Sequence, residues 1–300
     1  MIVVTGATGH TGKPAAETLL AGGANVRVVS RDAKKLDQFV ARGAEAFVGN
    51  AEDRHAMAKA FEGADAVYLV VPEDPTQPDL RAHQERISES YAAAVAFARV
   101  PYVVALSSIG AQHAEGTGPI VGLHNMEQKL NQVPDLNVVY LRAGYFMENL
   151  LLSIPPMRSM GILPGGMTGD LATPWIATQD IGKYAATRLV SRDFSGKSTQ
   201  ELHGQRDITM KEASSVIGKS IGKPDLSYMQ VPFTMLEPAL VQMGLPKSTA
   251  ALLIEMWKSA NAGLIKPQEQ RTAKNTTPTT LESFATEVFA PAFLSKTAGA

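Results

Sequence analysis

The first half of the chain alternates short β-branched apolar runs with longer stretches in which apolar residues recur at helical spacing. The run IVVT over Ile2–Thr5 predicts a buried strand, and Thr11–Ala21 a helix that stops at Gly22-Gly23. The rhythm then repeats. Strand Asn25–Ser30 is followed by helix Ala33–Ala41 ending at Gly43, strand Glu45–Val48 by helix Arg54–Phe61 ending at Gly63, and strand Ala66–Val71 by the long helix Asp79–Ala98. Strand Tyr102–Leu106, a helix around Met126–Asn131 and strand Asn137–Leu141 complete the series. Strands this apolar are covered on both faces, and right-handed crossovers between them give a doubly wound parallel sheet, the α/β Rossmann arrangement.

Beyond about Leu150 the rhythm breaks. Pro155-Pro156 and Pro164-Gly165-Gly166 punctuate a loop-rich stretch. Trp175–Ala177 reads as a strand, Gln179–Val190 as a helix, Glu201–Thr209 as extended, Lys211–Ile221 as a helix and Leu226–Val231 as a strand. Helices follow around Phe233–Met243, Ser248–Ala262 and Thr279–Val288, and Leu294–Ala300 reads as a loose tail. The expected organisation is a main domain over 1–150 and a smaller C-terminal α/β lobe over 151–300, with helix Gln179–Val190 returning to the main sheet.

Composition narrows the function classes. The 300 residues are 45 % hydrophobic and 19 % charged, with a net charge of −1, so no basic surface exists to neutralise nucleic-acid phosphates. The absence of cysteine removes disulfides, thiolate nucleophiles and Cys-ligated metals, and no His/Asp/Glu grouping has metal-ligand spacing. The start MIVVTG reads as a strand rather than a signal peptide, and no apolar run approaches the ~20 residues a membrane span needs. A cytoplasmic protein without nucleic-acid or membrane partners is the expectation.

The chemistry concentrates where the first strand meets its helix. Thr5-Gly6-Ala7-Thr8-Gly9-His10-Thr11-Gly12 spaces its glycines Gly-x-x-Gly-x-x-Gly. Gly6 permits a sharp exit from the strand, Gly9 lets a diphosphate approach the main chain, and Gly12 lets helix and sheet pack closely. The helix N-terminus adds free N–H groups and partial positive charge, with Thr8, His10 and Thr11 as side-chain donors. A dinucleotide site is therefore expected. Arg31, first beyond the second strand and close to Lys34 and Lys35, suits the 2′-phosphate of NADP(H). Asp32 would serve NAD(H) if that strand ended one residue later, so NADP(H) is preferred and NAD(H) stays open. Later strand exits should line the same crevice: Asn50 near the adenine, Val71 and Pro72 against the adenosine, and Ser107 near the nicotinamide.

TGATGHTG, SRD, LSSIGA, LRAGYFMENL, TQDIGKYAA and TPTTLESFA together resemble the NmrA-like family of atypical short-chain dehydrogenases/reductases. The resemblance implies an NAD(P)-binding domain with a small substrate lobe. It also implies either an NAD(P)H-dependent reductase of quinones, azo dyes or triphenylmethane dyes, or a redox-sensing regulator acting through a protein partner. Matching segments carry over Gly6, Thr8, Gly9, His10, Thr11, Gly12 and Arg31, and less directly Ser107 and Tyr145.

One departure matters. Short-chain dehydrogenases commonly use Tyr-x-x-x-Lys for proton transfer. None of the seven tyrosines has lysine four residues on, and Pro119 and Leu123 occupy roughly the Tyr and Lys places. Alcohol oxidation by that route is not expected. A conjugated acceptor is already electrophilic and needs chiefly to be stacked on the nicotinamide. His124 and Tyr145 are then candidate proton donors. Met147, Met157, Met160 and Met167, near Phe146 and Trp175, would suit either a pliable acceptor pocket or core filling.

Overall fold

A computed structural model describes residues 1–72 and 74–295. The expected tail over 294–300 lies, from 296 onward, outside the described residues. The apolar runs form strands β1 (Ile2–Val4), β2 (Val26–Ser30), β3 (Glu45–Val48), β4 (Ala66–Leu69), β5 (Tyr102–Ser108) and β6 (Asn137–Ala143). Between them lie α1 (Gly12–Ala21), α2 (Asp37–Val40), α3 (Arg54–Phe61), α4 (Leu80–Ala98) and α5 (Ile120–Asn131). Two of these differ from the pattern's reading. The helix expected over 33–41 is a 3₁₀ turn, Lys34–Leu36, running into the short α2, and α5 begins six residues before Met126.

In the second half, β7 (Tyr145–Phe146), β8 (Ile162–Gly165), β9 (Thr173–Ile176), β10 (Lys197–Leu202), β11 (Asp207–Ile208) and β12 (Ser227–Gln230) alternate with α6 (Ile154–Met160), α7 (Thr178–Ser191) and α8 (Met210–Ser220). The chain continues through α9 (Phe233–Gln242), α10 (Lys247–Asn261), α11 (Leu281–Phe284) and α12 (Ala290–Leu294). The stretch read as loop-rich holds α6, which takes Pro155 and Pro156 in its first turn, where a missing N–H costs nothing.

The main sheet has seven strands in the order β10-β6-β5-β4-β1-β2-β3. Every pairing within it is parallel. Strand order reverses between β1 and β4, so a crevice opens beyond their carboxyl ends. The seventh strand, β10, comes from the second half of the chain: the segment read as extended divides into β10, which joins β6, and β11, which joins β9. Each face of the sheet carries its own apolar core. Val4, Val28 and Val104 pack beneath α1 and α7 on one side, and Val3, Val67 and Val103 beneath α3, α4 and α5 on the other. A third core, around Trp175, Met147, Ile217 and Phe289, fills the C-terminal lobe.

Candidate functional site

The glycine loop is built by local necessity. Thr5 is buried and anchors the end of β1 to β4: its Oγ1 donates to Tyr68 O (3.0 Å) and accepts from Val70 N–H (2.9 Å). The chain then turns at Gly6, whose φ of +58° lies in the left-handed region. Gly9 N–H donates back to Gly6 O at 2.9 Å, closing the turn. At Gly12 a Cβ would stand 2.1 Å from Gly6 O, so no other residue fits without moving backbone. Gly9 differs, since a Cβ there would meet only Gly6 O, at 3.3 Å, and the residue is exposed. No side chain caps the start of α1. Lys13 N–H donates back to Gly9 O (3.0 Å) and Pro14 has no N–H; beside them His10 is exposed, Thr8 half-buried and Thr11 buried.

At the tip of β2, Arg31, Lys34 and Lys35 are exposed, and none makes an ion pair among the described residues. Asp32 is engaged locally: its Oδ1 accepts Lys34 N–H (3.0 Å) and its own N–H donates to Ser30 Oγ (3.2 Å). At the tip of β3, Asn50 is exposed and its Oδ1 accepts Glu52 N–H (3.2 Å). Val71 is buried and Pro72 half-buried at the exit of β4. Sequence reasoning missed Glu52, which binds Arg86 Nε (2.5 Å) and His83 Nδ1 (2.6 Å) and ties the β3 exit to α4. The Arg86 hydrogen bond, with help from His83, outweighs desolvation and holds this carboxyl below its ordinary range.

Ser107, at the end of β5, is 2 % exposed and its Oγ donates to Glu127 Oε1 (2.6 Å). Glu127 in turn accepts Arg142 Nε and Nη2 at 3.0 and 2.6 Å, a buried bidentate pair between α5 and β6. His124, half-buried on α5, hydrogen-bonds Ala111 O through Nδ1 (2.8 Å). A carbonyl only accepts, so Nδ1 carries the proton and Nε2 is the nitrogen left for chemistry.

Tyr145 follows β6 directly and its ring centroid lies 4.8 Å from that of Trp175. Burial, opposed by a hydrogen bond with Asn149, pushes its hydroxyl up to about 12. The methionines do not gather into one pocket. Met147, Met157 and Met167 are buried in the C-terminal core, and Met160 is 58 % exposed. Helix α10 packs on the loops that follow β4 and β5. Its Ser248 Oγ donates to Pro78 O (2.8 Å), its Ser259 Oγ donates to Gly116 O, and Gly118 abuts Leu252 O so closely that a Cβ would be 2.1 Å away.

A doubly wound parallel sheet, a glycine loop at its first strand–helix junction and a second core packed against the loops after β4 and β5 define a Rossmann-type protein with a dinucleotide-type loop. More particularly, the chain belongs to the NmrA-like family, whose model matches residues 1–285. It is 30 % identical over 224 residues to the (4-alkanoyl-5-oxo-2,5-dihydrofuran-3-yl)methyl phosphate reductase of Streptomyces griseus, covering 75 % of each chain. It is 25 % identical to the NAD(P)H azoreductase of Xenophilus azovorans, with 87 % of each covered. Among solved structures, the NADPH-dependent quinone oxidoreductase of Escherichia coli, in complex with NADPH, superposes with a TM-score of 0.82 at 22 % identity, covering 96 % of this chain and 100 % of that one.

Proposed function

We propose that this protein is an NADPH-dependent reductase that passes hydride to a small conjugated electrophile, a quinone, azo compound or related acceptor. The observation that carries the reading is the glycine loop. Gly6, at φ +58°, and Gly12, with Gly6 O 2.1 Å from its Cβ position, make a tight turn onto a helix start that no side chain caps, the kind of turn on which a diphosphate rests. The preference for a 2′-phosphate rests on Arg31, Lys34 and Lys35, which make no ion pair among the described residues, and on Asp32, whose Oδ1 is engaged at Lys34 N–H. The family's reductases, the azoreductase and dihydrofuranyl phosphate reductase among them, support the activity.

The bound cofactor supplies the hydride. The chain's part is to bind, orient and protonate. Glycine-loop amides hold the diphosphate, and the tip of β2 reads the adenosine end. Asn50, Val71 and Pro72 flank the adenosine. The lobe carrying Tyr145 and α10 closes over the acceptor and excludes water. Pro119 stands at the N-cap of α5 and Leu123 lies within it, at the places of the usual Tyr and Lys, so protonation falls to the Tyr145 hydroxyl or to His124, whose Nε2 donates from the imidazolium while Nδ1 keeps its proton on Ala111 O.

The test is NADPH oxidation, followed at the nicotinamide absorbance band, against a panel of quinones and azo dyes. Turnover above the uncatalysed rate is expected. Tight binding without turnover across the panel would overturn the reductase and favour a nucleotide sensor. For cofactor choice, Arg31→Ala should raise the NADPH Kd about tenfold, the loss of one charge-assisted hydrogen-bond donor, and leave NADH within about twofold. Equal losses for both cofactors would remove Arg31 from the 2′-phosphate.

A further inference from the structure

Glu148 has no counterpart in the glycine-loop reasoning, yet the fold brings three parts of the site together on it. It sits in the 3₁₀ stretch Met147–Ser153, directly after β7. Helix α7 has Ala177 at its N-cap, which offers no side-chain acceptor. Glu148 supplies one from outside. Thr178 N–H donates to both carboxyl oxygens, at 3.0 and 3.1 Å, and Thr178 Oγ1 donates to Oε1 at 2.7 Å. A carboxylate at a helix N-terminus is favourably placed, and here it fixes where α7 begins.

Fixing α7 fixes the glycine loop. One turn on from Thr178, Gly182 rests on the first turn of α1. A Cβ there would stand 2.4 Å from Thr11 O, 2.7 Å from Pro14 Cγ and 2.8 Å from Ala15 N. Any slide of α7 is therefore felt by Thr11 and the loop that leads into it. The other end of the link is equally tight. Gly144, between β6 and β7, has Pro174 O 2.4 Å from its Cβ position, which leaves little slack between the tip of β6 and Glu148. Burial pushes the Glu148 carboxyl above its ordinary range, opposed only in part by its hydrogen bonds with Thr178 and by His10, which lies within electrostatic reach. The adenosine end, at β2 and β3, lies across β1 from this linkage.

We propose that Glu148 is a positioning residue that holds α7, the glycine loop and the β6 exit in one register for the nicotinamide–diphosphate half of the dinucleotide. The proposal rests on the NADPH reading above. It makes a directional statement: Glu148 governs one half of the ligand and not the other.

The experiment is calorimetric titration of the full-length protein and its variants with NADPH and, separately, with adenosine 2′-monophosphate, which carries the adenosine end and the 2′-phosphate without any part of the diphosphate. Glu148→Ala should raise the NADPH Kd about tenfold and leave adenosine 2′-monophosphate within about twofold. Glu148→Gln keeps an oxygen for Thr178 and gives up the charge, so it should restore part of the loss. Thr178→Val, which keeps the N–H and removes the hydroxyl, gives a milder version should Glu148→Ala fail to fold. Equal weakening of both ligands, or no weakening of NADPH in the Gln and Val variants, would overturn the positioning role. Failure of the wild type to bind either ligand would overturn the dinucleotide reading instead, and the two failures are distinguishable.

Discussion

Gly9 and Gly12 lie three residues apart and differ in what one added carbon would meet. At Gly12 the carbon strikes backbone 2.1 Å away, so Gly12→Ala must displace the start of α1 from β1. We expect a stability loss of about 1–3 kcal/mol, read as a lower urea midpoint, together with weakened NADPH binding. At Gly9 the nearest atom, Gly6 O, is 3.3 Å away and has to give by only a few tenths of an ångström, so alanine costs far less than at Gly12 while its methyl group occupies the approach to the main chain. Gly9→Ala should keep a near-native melting temperature and lose at least about tenfold in NADPH affinity, the cost of leaving loop amides unpaired. A variant that lost stability and binding in parallel would place Gly9 in packing rather than in recognition. The proton donor separates in the same way. Removing the true donor, by His124→Gln or Tyr145→Phe, should lower kcat about a hundredfold and leave the NADPH Kd unchanged.

At the scale of elements, the site's legibility followed sequence distance. The glycine loop, its strand and its helix could be read because turn, spacing and periodicity all lie within a dozen neighbouring residues. The start of α5 lay outside the helix read around Met126–Asn131, because that first turn is held by packing on α4, where Gln84 Nε2 donates to Pro119 O (3.1 Å). Glu148 was equally hidden, since its partner Thr178 is 30 residues away. The least visible link covers the outer side of β10. There Glu201, 2 % exposed, accepts His203 Nε2 (2.7 Å) and the backbone N–H groups of Gln268 (2.8 Å) and Glu269 (3.0 Å). Burial alone would raise its pKa, but these hydrogen bonds outweigh burial and hold it below the ordinary 4.5. A carboxyl depressed on folding stabilises the fold above its unfolded pKa, and that contribution is lost as pH falls through the folded value. Stability measured by urea should therefore fall more steeply below about pH 4.5 in the wild type than in Glu201→Gln, which no longer titrates there. Identical slopes would show that the Glu201 contacts do not discriminate its charge.

At the scale of the whole molecule, the two halves of the chain share one sheet. Strand β10 completes the main sheet beside β6, and α7 covers the same face as α1, although both come from beyond residue 150. The C-terminal lobe is therefore not hung on a linker: the segment leaving it, from α7 through β10, is built into the half that carries the glycine loop, and the chain re-enters the lobe at β11. Separate unfolding of the lobe would expose α7's contacts with α1 and the edge of β6, a cost that couples the two cores. Both tryptophans, Trp175 and Trp257, lie in the second half, so their fluorescence reports on the lobe, while backbone circular dichroism weighs the whole chain. Urea titration followed by the two probes should give coincident midpoints, and saturating NADPH should raise both equally, because a ligand that binds only the native state stabilises every part that unfolds with it. An earlier fluorescence midpoint that NADPH left unmoved would mean that the lobe unfolds on its own. In that case its cover over the acceptor would be set by local opening rather than by the stability of the fold.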